Sequence, residues 1–146
     1  MRILPRLHQL PVRLATGAFV LNAGLSMAAG DEDNAAAVHG MAVNAYPFLK
    51  KLDPQRFVWL LSRAEIAVGA ALLVPVVPSL VAGAALTALA GGLVGLYLRT
   101  PSLRREGSLR PSQEGIGVAK DVWLLGIGTS LVAEELCCRS RPGSPA

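Results

Sequence analysis

The chain has 146 residues, 52% of them hydrophobic and only 16% charged, with a formal net charge of +4. A soluble domain carries about a quarter charged residues, whereas here none stands between Glu65 and Arg99, a run of 33 positions. About 20 apolar residues cross a bilayer, so the composition excludes a soluble enzyme and a disordered chain and makes the lipid bilayer the first partner. The basic residues flank apolar runs and form no continuous stripe, a pattern that sets membrane topology and argues against nucleic acid.

Residues 11–29 form the first apolar segment, with Arg2, Arg6 and Arg13 before it and Asp31, Glu32 and Asp33 after it. The same layout fits a signal peptide cleaved near Ser26-Met27-Ala28, but the apolar stretch is longer than most signal cores. Three further apolar segments need a partner, which favours a membrane span. Gly17, Ala23, Gly24 and Ser26 offer the small-residue face that transmembrane helices use for packing. Residues 30–56 make the longest connection. Met41, Tyr46, Phe48, Leu49 and Leu52 alternate there with Lys50 and Lys51, as in an interfacial segment or a plain surface loop, and Pro47 limits any helix to short pieces.

Asp53 is a good N-cap with Pro54 at the first helical position, and the second span is expected over 54–74. Read as one helix, the charge-free run would be about 50 Å long against a hydrocarbon core of about 30 Å. Pro75 and Pro78 instead predict a tight hairpin into a third span over 80–98. Gly83, Gly91, Gly92 and Gly95 predict close helix packing there, with Gly91 and Gly95 as a GxxxG pair. No phosphate-loop pattern accompanies them. A polar connection, Arg99 to Pro111, leads to Ser112, which caps a fourth span over 113–136 with Gln113 and Glu114 in its first turn. Residues 137–146 read as a disordered tail. The expected fold is all-α: a four-helix transmembrane bundle of up-and-down topology, one domain over residues 1–136.

Ionisable residues inside spans are costly and mark candidate sites. The second span carries Arg63 and Glu65, and the fourth carries Lys120 and Asp121. In an antiparallel arrangement both pairs lie about 12–18 Å from their helix starts, and Asn22 of the first span lies about 10 Å from the same face. Asn22, Arg63, Glu65, Lys120 and Asp121, with Ser26 beside them, therefore form a candidate intramembrane polar site, and Tyr97 lies nearer the surface. Its charges balance, so Arg63 with Asp121 and Glu65 with Lys120 are the first pairings, and the swapped pairs are the alternative. Such a layer serves binding or proton handling, or else only fixes helix register; Arg63 also has the reach to snorkel.

Other chemistry is thinly represented. Cys137 and Cys138 are adjacent and have neither redox nor metal spacing. His8 and His39 lie outside the spans and make no metal site between them. Ser26, Ser62, Thr87 and Ser130 sit in no nucleophile motif and read as packing hydroxyls. The sequence therefore points to no catalytic residue, no metal and no cofactor motif.

Three segments, Arg13 to Gly24 (RLATGAFVLNAG), Glu65 to Gly69 (EIAVG) and Lys120 to Gly126 (KDVWLLG), resemble the DoxX-like family of small four-helix membrane proteins, over about residues 10–135. A glycine-containing first helix and an acidic residue early in the second are the features the family leads one to expect. Where the family often has a basic residue shortly after the first-helix glycine, this chain has Met27. The resemblance implies an accessory, non-catalytic subunit of a quinone-linked membrane redox system, with a membrane or peripheral redox protein as partner. It makes quinone the cofactor to consider. Binding or transport of a quinone or small solute through the charged layer, and a purely structural role, are the competing readings; a homo-oligomer is a further option.

Orientation signals conflict. Arg2, Arg6, Arg13, Arg139 and Arg141 fall on one face, and Lys50, Lys51, Arg56, Arg99, Arg104, Arg105 and Arg110 on the other. Five against seven puts the connections inside, whereas the arginines before the first span and the acids after it put its amino end inside. The expectation adopted is a multi-pass protein of the plasma membrane with both termini cytoplasmic.

Overall fold

The computed structural model describes residues 6–139, with only the backbone at Arg139. Five helices of 14 residues or more follow in order: α1 (Leu10–Ala28), α2 (Glu32–Ala45), α3 (Pro54–Leu73), α4 (Ser79–Arg99) and α6 (Asp121–Arg139). The four-residue α5 (Ile116–Ala119) precedes α6. No β-strand occurs among the described residues; Arg104 and Pro111 make one isolated bridge.

Three segments are long and apolar enough to cross a membrane: Leu7–Ala28, Ser79–Arg99 and Ile116–Cys138. The 20-residue α3, with Arg56, Arg63 and Glu65, is not among them. Outward-facing Leu14, Phe19, Leu25, Val81 and Val122 are exposed, the distribution expected where the surrounding solvent is hydrocarbon. These features mark a membrane protein.

In lipid, helices gain little from burying apolar area and associate through close contact at small residues. Two antiparallel pairs form in this way. Along α1 and α3, Gly17 meets Leu72 and Leu73, Gly24 meets Ser62 and Glu65, and Gly69 meets the Leu21 backbone. Along α4 and α6, Gly83 meets Gly128 and Leu131, and Gly128 meets Thr87. Gly91 and Gly92 have nothing within 4 Å of a built Cβ, and Gly95 faces the Tyr46 hydroxyl. The GxxxG expectation is thus corrected: Gly83 makes the α4 contact with α6. Val20, Val68, Leu72, Ala82, Leu86 and Leu131 join the pairs in a common core.

The hairpin at the two prolines forms as expected, through residues 74–78. Asp53 caps α3 by accepting from Arg56 N at 3.2 Å. The connection over 30–56 differs from expectation, because α2 occupies half of it. Asp31 accepts from Asn34 N at 2.9 Å, and Glu32 and Asp33 fill the first turn, where acidic groups suit the helix dipole. Pro47 follows the end of α2 and opens the next turn, a 3-10 segment over Pro47–Lys51. The buried His39 fastens that turn to α2: its Nε2 lies 3.0 Å from the Leu49 carbonyl, and its ring lies 5.5 Å from that of Phe57.

The fourth span also starts later than the expected 113. Ser112 Oγ accepts from Gly115 N at 3.1 Å and so caps a turn, with helix beginning at Ile116. Tyr97 is buried and its hydroxyl donates to the Leu109 carbonyl at 2.7 Å, pinning the preceding loop. At the other end, α6 carries residues 137–139 of the expected tail as helix. The rest of that tail, with Arg141, and Arg2 at the start lie outside the described residues.

Arg13 is the largest departure. Expected as a flanking topology charge, it is only 1% exposed inside α1. Its guanidinium donates to the carbonyls of Leu72 (3.0 Å), Ala71 (2.9 Å), Val74 (3.1 Å) and Val77 (3.0 Å) and to Ser79 Oγ (2.9 Å). Helix C-terminal carbonyls lack partners within their own helix and carry the negative end of the dipole. One arginine fork supplies both the donors and the charge, and it binds α1 to the α3–α4 turn. Ser79 Oγ passes the chain on to Gln9 Oε1 at 2.7 Å, and Gln9 Nε2 donates to Glu134 of α6 at 2.7 Å.

Candidate functional site: an apolar cavity with two acidic side chains

A cavity of about 550 Å³ lies between the two helix pairs and beneath α2. Phe19, Val20, Ala23 and Met27 of α1, Met41 of α2 with Tyr46 just after it, Phe57 and Leu61 of α3, and Leu89, Leu93 and Leu96 of α4 form most of its wall. Among the residues lining it, only Glu65, Asp121 and Tyr46 have polar side chains, and none is basic. Met27, at the position where the resemblance leads to a basic residue, is part of the apolar wall.

Gly24 sets the position of Glu65. Without a side chain at Gly24, α3 approaches until the Glu65 Cβ would lie 2.9 Å from a Cβ built there. Glu65 is 6% exposed, and its Oε2 is buried without a hydrogen-bond partner. Asp121 reaches the same cavity from the first turn of α6, where the helix dipole favours an acidic group. Both side chains line the same cavity. Tyr46 is committed elsewhere, donating to the Gly92 carbonyl at 2.9 Å with the Arg99 guanidinium 5.0 Å from its ring centroid.

The structure thus brings together two of the five sequence candidates, Glu65 and Asp121. Arg63 is exposed and lies 5.6 Å from the centroid of the Trp59 ring, in a shallow depression with Gln55 and Arg56. Lys120 and Asn22 are also exposed. Neither Arg63 with Asp121 nor Glu65 with Lys120 forms an ion pair, and the swapped pairs do not form either; among the described residues Arg6 pairs with Glu134, and His8 Nε2 lies 2.7 Å from the same carboxyl group. Shared depth does not mean a shared face: about 100° per residue separates neighbours around a helix, so Arg63 turns away from Glu65, and Lys120 from Asp121. The hydroxyls of Ser62 and Thr87 turn back to their own helices, to the Trp59 and Gly83 carbonyls.

Sequence reasoning missed the contribution of α2, whose signal was present in the Asp31 cap and the acidic first turn. It also missed Arg13, whose role depends on a turn 60 residues away and leaves no local trace. No three His, Cys, Asp or Glu side chains converge among the described residues. The cavity can hold a largely apolar molecule and offers it two acidic groups. No family model matches the chain, and neither a curated protein nor a solved structure shows significant similarity to it.

Proposed function

We propose that this is a multi-pass protein of the plasma membrane, a DoxX-like bundle of α1, α3, α4 and α6 with α2 laid across one end. In this reading it binds a lipophilic small molecule in the cavity as an accessory subunit of a membrane redox system. The observation that carries it is the buried, unpartnered Glu65 on the wall of an apolar cavity. Burying a carboxyl group without a partner is costly, and cavities of roughly 300–1,000 Å³ with few polar groups are the usual form of small-molecule sites. Phe19 on α1 and Ala88 and Gly92 on α4 line the cavity and are themselves exposed. It therefore opens along two helices apolar enough to face lipid, a route suited to a membrane-dissolved ligand.

Quinone fits the residues present. The apolar wall would hold its ring and tail, and the carboxyl groups of Glu65 and Asp121, when protonated, would donate to its carbonyl oxygens. A quinone supplies a carrier of two electrons and two protons; the chain's own part is to orient it and exclude water. Organic extraction of the protein purified in mild detergent, followed by mass spectrometry, tests this. The expected result is stoichiometric quinone, lost from Ala88→Phe, which narrows the cavity. Absence of quinone from the native protein, or equal amounts in the variant, defeats the quinone assignment.

A further inference from the structure

We infer that the same cavity accepts a lipophilic organic cation, with Glu65 and Asp121 as its counter-charges. This goes beyond the quinone assignment and rests on the cavity being a ligand site. The charge balance of the wall is the first argument: two acidic side chains line it and no basic one does. The cations that the sequence offered as internal partners, Arg63 and Lys120, are exposed.

The second argument is Glu65 itself, 6% exposed with Oε2 unpartnered. An acidic group held in a low-dielectric wall attracts a bound positive charge more strongly than one in water. Phe19 and Phe57 line the same cavity, and aromatic faces add attraction for a cation.

The wall also selects among cations. Calcium takes six to eight oxygen ligands, and magnesium needs a near-octahedral set. The two carboxyl groups and one phenol of the wall fall short of either set. A cation whose charge is spread over or shielded by apolar groups needs few hydrogen bonds and fills the rest of the cavity with hydrocarbon.

The test uses the full chain in phosphatidylcholine nanodiscs, with binding measured by equilibrium dialysis above that of protein-free discs. Tetraphenylphosphonium is the cationic probe, tetraphenylborate its near-isosteric anion, and decylubiquinone the neutral control. Saturable binding of tetraphenylphosphonium is expected, without saturable tetraphenylborate binding. Glu65→Gln and Asp121→Asn should each weaken it by about tenfold or more, since each removes one charge partner. Equal binding of the two tetraphenyl ions overturns the inference, as does unaltered affinity in both variants. Decylubiquinone binding without tetraphenylphosphonium binding overturns it and leaves the cavity as a ligand site. Failure of all three probes defeats both readings. The comparison of the two ions on the native chain decides the matter even where a variant does not fold.

Discussion

Gly24 and Glu65 face each other across the α1–α3 seam so closely that a Cβ at Gly24 would lie 2.9 Å from the Glu65 Cβ. Backbone atoms of Ile66 and Ser62 stand at the same distance. Gly69 on the opposite helix is tighter still, with the Leu21 backbone nitrogen 2.5 Å from a built Cβ. Rigid backbone cannot yield as a side-chain tip can. Gly24→Ala and Gly69→Ala should each destabilise by about 1–3 kcal/mol through overpacking, and Gly24→Ala should also displace Glu65 and weaken ligand binding. Gly91→Ala, with open space around it, should change stability by no more than about 0.5 kcal/mol. Thermal unfolding in detergent measures all three, and equal losses at Gly24 and Gly91 would count against the close seam.

Arg13→Met should be among the most destabilising single changes in the chain. It removes five donated hydrogen bonds from a buried site and leaves the carbonyls of Ala71 and Leu72 without partners. The expected loss is about 3 kcal/mol or more, the scale of breaking a buried charged network. Arg13→Lys should recover only part of it, because an ammonium has three donors and no planar fork. The same unfolding assay reads this, and a neutral Arg13→Met would contradict the clamp.

Tyr46→Phe should loosen α2 selectively. The phenol bond to Gly92 joins the end of α2 to α4, and its loss costs about 1 kcal/mol. The ring remains beneath Arg99. Hydrogen exchange should therefore speed up over residues 32–45 and stay unchanged in the α1–α3 seam. Uniform acceleration would mean that α2 is not separately held.

Arg63 and Asp121 should be energetically independent. Arg63 stacks on Trp59 at the surface, and Asp121 faces the cavity. A double-mutant cycle of Arg63→Ala with Asp121→Asn should give a coupling energy within about 0.5 kcal/mol of zero. Arg63→Ala alone should cost about 0.5–1 kcal/mol from the lost cation–π contact. A coupling of about 2 kcal/mol would restore the ionic layer that the sequence suggested.

The helices that carry the fold were legible in the sequence because they obey local rules. Asp53-Pro54 starts α3, Pro75 and Pro78 turn the chain, and the charge-free run needs no tertiary information. The candidate site was half legible. Counting residues along a helix gives depth and sets Glu65 and Asp121 at one level; in the structure both line one cavity. Rotation about the helix axis decides what faces what, and it depends on which glycines meet which neighbours. Gly24 and Gly69 set that rotation for α3, turning Glu65 inward and Arg63 outward. Arg13 was illegible for another reason: an arginine near a helix start looks the same whether it reaches water or the end of a distant helix.

The Arg13 clamp also bears on how the chain enters the membrane. An arginine within a lone helix costs at most about 2.5–3.5 kcal/mol on insertion, the value at the helix centre; Arg13 lies in the first turn of α1, which emerges before any of the carbonyls that hold it. Until the turn over residues 74–78 has been made, α1 lacks the acceptors that let it sit at its final depth. Biogenesis of the first helix is therefore completed by the third and fourth, and a chain truncated before Val74 should leave α1 shallow or only partly inserted.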